Sequence, residues 1–361
     1  MPSPRPSVRE GDWVHALWEG DSLGSRAARA ALFPAELVFG AATVVRTSLY
    51  SSGVLTTHPT PIPALAVGNL TVGGTGKTPV AAYLARQLVE RGATPAIVLR
   101  GYGQDEPLVH RTINPDVRVV VSPDRLAGIG DAQRAGCDLV VLDDAFQHRR
   151  VQRVADVVLV SADGPRGMRR RLLPAGPWRE PLAAARRATL AVITRKAASL
   201  EEADDVVDAI GRVAQVPSAV VHLDADRLRS LSVVSDVDIA TIRGESVLAI
   251  SGIGNPAAFE AQLSSRGARV VTRVFRDHHR FTPADAATLA MEATRFDRVI
   301  CTLKDAVKLG SLWPGPSPLW YVSQRVVVER GVHAVDGVLA TALRARNASP
   351  SGRPGPPGLP N

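Results

Sequence analysis

The sequence predicts an α/β protein in which helices cover both faces of a parallel sheet. From position 62 onward, short apolar runs alternate with stretches of helical periodicity: PALAVGN, PAIVLR, VRVVVS, DLVVLDD, ADVVLVS and ATLAVIT. Each run is almost continuously apolar and rich in β-branched residues, which is typical of strands that are buried on both faces. The alternation of such strands with helices indicates a doubly wound sheet.

A second, smaller α/β domain is predicted from a further series of the same kind, which begins near Val247. Its apolar runs are VLAISG, ARVVTRVF, DRVICT and PLWYVS. A chain of 361 residues also fits two domains of about 150 residues each. We therefore expect an N-terminal segment at 1–60, a first domain at 61–225, a second domain with connecting strands at 226–346 and a disordered Pro-, Gly- and Ser-rich tail at 347–361.

The N-terminal segment contains an apolar stretch from Ala31 to Tyr50 that is interrupted by Pro34, Glu36 and Arg46. Its uninterrupted part, positions 37–45, is far shorter than the ~20 residues needed to span a bilayer. Two interpretations stay open: an amphipathic helix in the lipid headgroup region, or a helix packed on the protein's own core. The first residues lack the apolar core of a secretion signal, so we expect the protein to stay in the cytoplasm.

The charge balance favours partners that are rich in phosphate. Lys and Arg number 43 against 35 Asp and Glu, a net charge of +8, which suits nucleic acid, an anionic membrane surface or a phosphorylated substrate. An aromatic content of only 4% and the lack of a recognisable nucleic-acid-binding motif argue against nucleic acid. Cys137 and Cys301 lie far apart without metal-ligand spacing, so we interpret both as core thiols.

The segment VGNLTVGGTGKTP, Val67 to Pro79, has the pattern of a phosphate-binding P-loop between a strand and a helix. Its glycines free the backbone to curl, so that successive N–H groups face a phosphate chain. Lys77 would reach the β- and γ-phosphates, and the Thr78 hydroxyl would coordinate Mg²⁺. Thr71 replaces the first glycine of the usual pattern, but the glycine-rich centre and the GKT triplet are present. The predicted nucleotide-binding residues are Thr71, Val72, Gly73, Gly74, Thr75, Gly76, Lys77 and Thr78.

Two acids, Asp143 and Asp144, follow the apolar run Leu139–Leu142. Ligands bind at the carboxyl ends of the strands in α/β sheets, so these carboxylates would hold the Mg²⁺ of a P-loop enzyme. A helix N-cap or a turn is the common alternative for such a pair, and the GKT triplet upstream favours the metal. The pattern does not choose between the two acids.

The nucleotide predicted from the sequence is ATP. Guanine-specific P-loop enzymes carry N-K-x-D after a later strand, whereas here AVIT is followed by Arg195, Lys196 and Ala197. No acid therefore stands where guanine would be read. Partitioning ATPases that dimerise on membranes carry a lysine just before their glycine pair, and this chain has Val72 at that position. This difference weakens the interpretation of the chain as a partitioning ATPase.

Further motifs follow in order along the chain: RGYG, DEP, DDAFQH, LPAGPWRE, GIGNP, DHHRFT and KDAVKL, after an N-terminal LWEGDS. Together with the P-loop they closely resemble the tetraacyldisaccharide 4'-kinase family over nearly the whole chain. The resemblance implies transfer of the γ-phosphate of ATP, with Mg²⁺, to the 4'-hydroxyl of a tetraacylated disaccharide 1-phosphate, which forms lipid IVA in lipid A biosynthesis. It further implies a peripheral or monotopic location at the cytoplasmic face of the inner membrane of a Gram-negative-type bacterium, with the helical segment at 1–60 associating with the membrane. We expect no nucleic acid and no obligate protein partner.

The resemblance also implies roles for individual residues. Asp105 of DEP would accept the proton of the acceptor hydroxyl, assisted by His278 of DHHRFT. Lys77 and Arg179 would offset the charge of the transition state. Other residues expected to line the site are Tyr102, Glu106, Gln147 and Glu180. A membrane-associated regulatory P-loop ATPase is the alternative function, and it would hydrolyse ATP without lipid.

Overall fold

A computed structural model of the protein describes residues 14, 17–18, 20–101, 105–163, 170–233, 235–254, 256–276, 279–314 and 317–348. The fold is α/β, as the sequence predicts, and its strands pair mostly in parallel. The strands are β1 (Ala64–Asn69), β2 (Pro95–Leu99), β3 (Arg118–Val121), β4 (Leu139–Leu142), β5 (Ala155–Ser161), β6 (Leu190–Arg195), β7 (Ser218–Ser230), β8 (Asp236–Asp238), β9 (Ser246–Ser251), β10 (Arg269–Val274), β11 (Arg298–Thr302) and β12 (Leu319–Arg330). The α-helices are α1 (Leu23–Ala31), α2 (Phe33–Ser51), α3 (Lys77–Glu90), α4 (Asp105–Ile113), α5 (Arg125–Arg134), α6 (Leu200–Gly211), α7 (Pro256–Ser265), α8 (Pro283–Ala293), α9 (Leu303–Leu309) and α10 (Val332–Ala348).

The chain divides into two compact units. The larger unit comprises Ala35–Tyr102, Ile113–Leu223 and Val326–Asn361, and the smaller unit comprises Met1–Pro34, Gly103–Thr112 and Asp224–Arg325. Strands β7 and β12 each contribute their first residues to one unit and their last residues to the other. The domain boundaries expected from the sequence stay a prediction.

The strands of the larger unit lie in the order β6-β5-β1-β4-β2-β3, and all of these pairs are parallel. Alternate residues of β1 point to opposite faces of the sheet. Leu65 and Val67 belong to a core with Leu84 of α3, whereas Ala64 belongs to a second core with Ile129 of α5. Because helices cover both faces, every residue of β1 is buried. This explains why the run is apolar without alternation.

The smaller unit repeats this principle on fewer strands. β9 lies between β10 and β11, and both pairs are parallel. Leu248 and Ile250 of β9 belong to a core with Leu289 of α8, whereas Val247 belongs to a core with Phe259 of α7. β8 pairs antiparallel with β7, which makes the pairing mixed.

Helix α2 contributes no buried residue to the core. Leu37 and Val38 are 56% and 71% exposed. The opposite side of the helix makes polar contacts, since the carboxylate of Glu36 accepts the N–H of Leu172 at 2.8 Å. Among the described residues, no single helix is long and apolar enough to cross a bilayer, whereas α1 and α2 taken together, as a bent pair, meet the length and composition required.

Candidate active site

The loop between β1 and α3 presents a helix N-terminus to a ligand. β1 ends at Asn69 and α3 begins at Lys77, with Gly76 as the N-cap residue. Gly76 has a φ of 84°, in the left-handed region, and a Cβ at this position would collide with the side chain of Leu223. No side chain caps the helix. Its first amides are therefore available to an anion.

The turn after β4 brings two carboxylates to the same edge of the sheet. β4 pairs in parallel with β1, so Asp143 and Asp144 follow the strand that neighbours the P-loop strand. Gly68 of β1 permits a close approach of this turn, because a Cβ there would lie 2.6 Å from the backbone nitrogen of Phe146. Asp143 is buried, and its Oδ1 accepts the N–H of Asp144 at 2.9 Å. The side chain of Asp144 is 38% exposed.

Asp144 contacts both cations that the sequence singles out. The Nζ of Lys77 lies 3.8 Å from Oδ1 of Asp144. The Nη1 of Arg179 donates to the same oxygen at 3.0 Å. The structure thus brings Lys77, Arg179 and Asp144 together at the start of α3, while the catalytic roles expected for them stay a prediction.

The segment LPAGPWRE lies beside the first half of the P-loop. The N–H of Arg179 donates to the carbonyl of Leu70 at 2.7 Å. Thr71 forms an antiparallel bridge with Trp178. This pairing requires extended backbone at position 71, which a β-branched residue favours and which gives a physical reason for threonine where the usual pattern has glycine.

Glu180 and Gln147, which the sequence predicts to line the site, make polar contacts with neighbouring parts of the larger unit. Glu180 is only 4% exposed, and its carboxylate pairs with Arg187 at 2.7 Å. The guanidinium of Arg187 also lies over the ring of Phe146, 4.7 Å from its centroid. The amide of Gln147 donates to the carbonyl of Asn69 at 2.8 Å, where β1 passes into the P-loop.

His148 follows Gln147 and lies in a basic part of the larger unit. Burial, as the largest cause, and the positive charges of Arg125, Arg153, Arg46 and Arg100 together lower the pKa of His148 to about 4. The imidazole is therefore neutral at pH 7.

Comparison with known proteins identifies the family. The family model described as tetraacyldisaccharide-1-P 4'-kinase (LpxK) matches residues 28–107 and 104–344. This chain belongs to that family. It is 38% identical over 358 residues to a tetraacyldisaccharide 4'-kinase of Halorhodospira halophila, across 92% of this chain and 98% of the relative. It is 36% identical over 295 residues to the tetraacyldisaccharide 4'-kinase of Xanthomonas campestris pv. campestris, across 75% and 81% of the two chains.

A solved structure agrees with these relatives. The crystal structure of LpxK from Aquifex aeolicus in complex with ATP has a TM-score of 0.69 to this chain at 27% identity, and the match covers 88% of this chain and 99% of the other. The family and the activity predicted from the sequence are confirmed: the chain is a tetraacyldisaccharide 4'-kinase of lipid A biosynthesis. The regulatory ATPase is thereby the weaker interpretation.

The residues beside the P-loop have the donor chemistry of a magnesium site. Among the described residues, no three His, Cys, Asp or Glu side chains form a metal cluster. A P-loop enzyme needs no such cluster, because a hydroxyl and a carboxylate share the ion with phosphate oxygens and water. Thr78 lies in the first turn of α3, and Asp143 and Asp144 supply hard oxygen ligands nearby. The expected magnesium ligands therefore fit, and their role stays a prediction.

The described residues of the larger unit do not include four of the residues that the sequence predicts for the site. Asp105 and Glu106 open helix α4, in the smaller unit. Asp105 is 3% exposed, and Glu106 is half-buried. Tyr102 and His278 lie outside the described residues. The roles expected for these four residues stay predictions.

Proposed function

We propose that the P-loop of this kinase binds ATP together with Mg²⁺, and that the γ-phosphate passes to the 4'-hydroxyl of a tetraacylated disaccharide 1-phosphate to give lipid IVA. The observation that carries the proposal is the convergence of Lys77 and Arg179 on Asp144, beside the uncapped N-terminus of α3. The relative from Aquifex aeolicus, which was crystallised with ATP, supports the choice of nucleotide.

Lys77 and Arg179 would offset negative charge on the transferred phosphate. Their side chains are 16% and 30% exposed, so both charges act in a partly desolvated environment where attraction is stronger than in bulk water. Asp144 already holds both cations near the helix N-terminus, which limits the reorganisation needed during the reaction. Mg²⁺, held by Thr78 and one of the two acids, would supply additional neutralising charge.

Asp105 would accept the proton of the 4'-hydroxyl, with His278 as its assistant. The support is the position of both residues in the family motifs DEP and DHHRFT. Helix α4 begins at Asp105, so a regular helix fixes its backbone. Asp105→Asn should lower kcat by about 10²–10⁴-fold, the usual contribution of a general base, with little change in the Kd for ATP. A loss confined to ATP binding would contradict this role.

Helix α2 would bind the inner-membrane surface, where the acyl chains of the substrate reside. Arg46 on its inner side donates to the carbonyl of Gln147 at 2.9 Å, so the helix is attached to the larger unit by polar contacts. Its outer apolar side chains have no place in the protein core and are available to lipid. These side chains, all more than half exposed, are Leu37, Val38, Val44 and Val45.

The membrane role is tested by co-sedimentation with vesicles that contain anionic lipid. Val38→Glu should reduce the bound fraction, because a charge on the exposed face of α2 opposes insertion. Met291→Glu provides the matched control, since Met291 is 69% exposed and lies on α8 in the smaller unit. Equal loss of binding in both variants would contradict a specific role of α2.

The kinase activity is tested with the purified full chain, radiolabelled ATP, Mg²⁺ and tetraacyldisaccharide 1-phosphate in mixed micelles. We expect label at the 4' position of the lipid. Lys77→Ala should form almost none of this product. Wild-type protein that binds ATP and still leaves the lipid unlabelled would contradict the proposal.

A further inference from the structure

The carboxyl end of β6 supports the P-loop through two side chains. The hydroxyl of Thr194 donates to the carbonyl of Thr75 at 2.8 Å, and both residues are buried. The ammonium of Lys196 donates to the carbonyl of Gly74 at 3.0 Å. Two consecutive carbonyls of the phosphate-binding loop are therefore bound from one direction by one strand end.

These contacts matter because a glycine-rich loop can reverse its peptide units easily. Gly73 and Gly76 have φ values of 113° and 84°, so the backbone on either side of Thr75 already uses conformations that favour glycine. A phosphate site needs N–H groups directed at the anion and carbonyls directed away from it. A single reversed peptide would place a carbonyl oxygen against phosphate oxygens.

Holding a carbonyl also fixes the direction of the next amide. The peptide unit is planar and trans, so its N–H points opposite to its carbonyl. The bond from Thr194 to the carbonyl of Thr75 therefore sets the direction of the N–H of Gly76, the N-cap of α3. The bond from Lys196 fixes the preceding peptide, whose N–H, that of Thr75, donates to the carbonyl of Gly73 at 2.9 Å within the loop.

The anchoring residues are themselves held in place. The carboxylate of Asp163, just beyond the end of β5, accepts the backbone N–H groups of Lys196, Ala197 and Ala198 at 2.8, 2.7 and 2.9 Å. On the other side of the loop, the amide of Asn69 donates to the hydroxyl of Thr75 at 2.8 Å, and Asn69 is fully buried. Thr75 is thus fixed through its side chain and its carbonyl.

We propose that Thr194 and Lys196 are positioning residues that orient the Gly74–Thr75–Gly76 backbone for the phosphates of ATP. They act through the loop and do not touch the reacting atoms. The inference rests on the proposed binding of ATP at this loop. It assigns to the last residue of AVIT, and to the following segment that lacks a guanine-reading acid, a role in orienting the phosphate-binding loop.

The sharpest test is Thr194→Val, which keeps the shape of the side chain and removes its hydrogen-bond donor. The buried carbonyl of Thr75 then loses its partner. We expect the KM for ATP to rise about tenfold, the equivalent of one hydrogen bond, while the KM for the lipid stays within twofold. Thr194→Ser, which retains the hydroxyl, should restore the KM for ATP to near the wild-type value.

Lys196→Met provides a second, independent variant that retains the length of the side chain without its charge. We expect a smaller rise in the KM for ATP, about threefold, because the Lys196 bond is exposed to water that can replace it. Thermal melting of each variant reports whether the fold is intact.

A lower melting temperature with unchanged KM for ATP in Thr194→Val would assign Thr194 to the fold alone and overturn the inference. Equal increases in both KM values, or failure of Thr194→Ser to restore the KM for ATP, would overturn it as well. Absence of lipid phosphorylation by the wild-type protein would instead contradict the proposed function, so the two failures are distinguishable.

Discussion

The loop after β1 in the larger unit and the loop after β9 in the smaller unit have the same strand–loop–helix arrangement. They differ in the contacts that the neighbouring acid makes with the loop. Each follows a buried parallel strand, contains glycine and precedes a helix, and each has a neighbouring strand that leads to an acid. After β1, the acid Asp144 contacts Lys77, and the helix N-terminus stays open. After β9, Oδ2 of Asp305 accepts the N–H of Gly252 at 3.0 Å, and Oδ1 of Asp305 lies 3.1 Å from Nζ of Lys308.

Asp305 and Asp144 also differ in how much of each side chain is exposed to solvent. The side chain of Asp305 is 0% exposed, whereas that of Asp144 is 38% exposed. The carboxyl edge of a parallel sheet offers amides to an anion in both units. In the smaller unit a carboxylate of the chain itself takes that place, whereas in the larger unit the place is open to a ligand.

The largest effect expected from this comparison is a loss of catalysis in Lys77→Ala. Removal of a positive charge that acts only near the phosphates should lower kcat/KM by about 10³-fold or more. The unfolding free energy should change by less than about 1 kcal/mol, because the 3.8 Å pair with Asp144 is partly exposed. Initial rates and urea denaturation measure the two quantities, and a rate within tenfold of wild type would contradict the assignment.

Asp305→Ala should have the opposite profile. It leaves Lys308, whose side chain is 13% exposed, without its partner and removes the acceptor of the Gly252 N–H. Breaking a buried ion pair in this way typically costs about 3–5 kcal/mol of unfolding free energy. Urea denaturation checks this value, and the exposed pair of Arg134 with Asp131 is the control, since Asp131→Ala should change stability by less than about 1 kcal/mol. Comparable losses of unfolding free energy in Asp305→Ala and Asp131→Ala would contradict the expected difference between a buried and an exposed carboxylate.

Gly68→Ala tests how closely the two acids must approach the P-loop strand. The new Cβ would lie 2.6 Å from the backbone nitrogen of Phe146, so the turn that carries Asp143 and Asp144 must shift. We expect a loss of about 1–3 kcal/mol in unfolding free energy, as for overpacked cores, together with reduced activity. Gly211→Ala is the matched control, because nothing lies within 4 Å of a Cβ there. If Gly68→Ala is as stable and as active as Gly211→Ala, the close approach of the Asp143–Asp144 turn to β1 is not required for stability or activity.

The last expected effect, absent at pH 7, is a dependence of stability on pH through His148. Its pKa is about 4 in the folded protein against a usual value of 6.5, so the unfolded chain binds more protons between these pH values. Stability from this residue is therefore lost as the pH falls from 6.5 to 4 and changes no further below that. Urea denaturation at pH 7, 5.5 and 4.5 should show wild type losing more stability than His148→Asn, and parallel profiles would contradict the lowered pKa.

The sequence predicts those parts of the site that are contiguous along the chain. The GKT triplet and the acids after β4 each follow a single strand, so local patterns suffice to find them. Thr194 and Lys196 escape such patterns, because their contacts with the P-loop span 119 and 122 residues. Arg187, the partner of Glu180, lies in an Arg-containing stretch that has no distinctive motif.

Sequence patterns also cannot tell a loop whose amides are free to bind a ligand from one whose amide is bound by a carboxylate of the chain. GIGNP and the P-loop are both glycine-containing turns after apolar strands, and KDAVKL supplies an acid much as DDAFQH does. Only the distances show that Asp305 occupies the amide of Gly252 while Asp144 does not cap α3. Burial of a carboxylate depends on packing from several elements, which short motifs do not encode.

Amide hydrogen exchange of the full-length enzyme, with and without ATP and Mg²⁺, tests the distinction between the two loops most directly. The open loop should take up the nucleotide, so amides at 72–78 should exchange markedly more slowly when ATP is present. Amides at 252–254 should exchange at the same rate in both conditions, because Asp305 already holds this loop. Protection at 252–254 without protection at 72–78 would contradict the account.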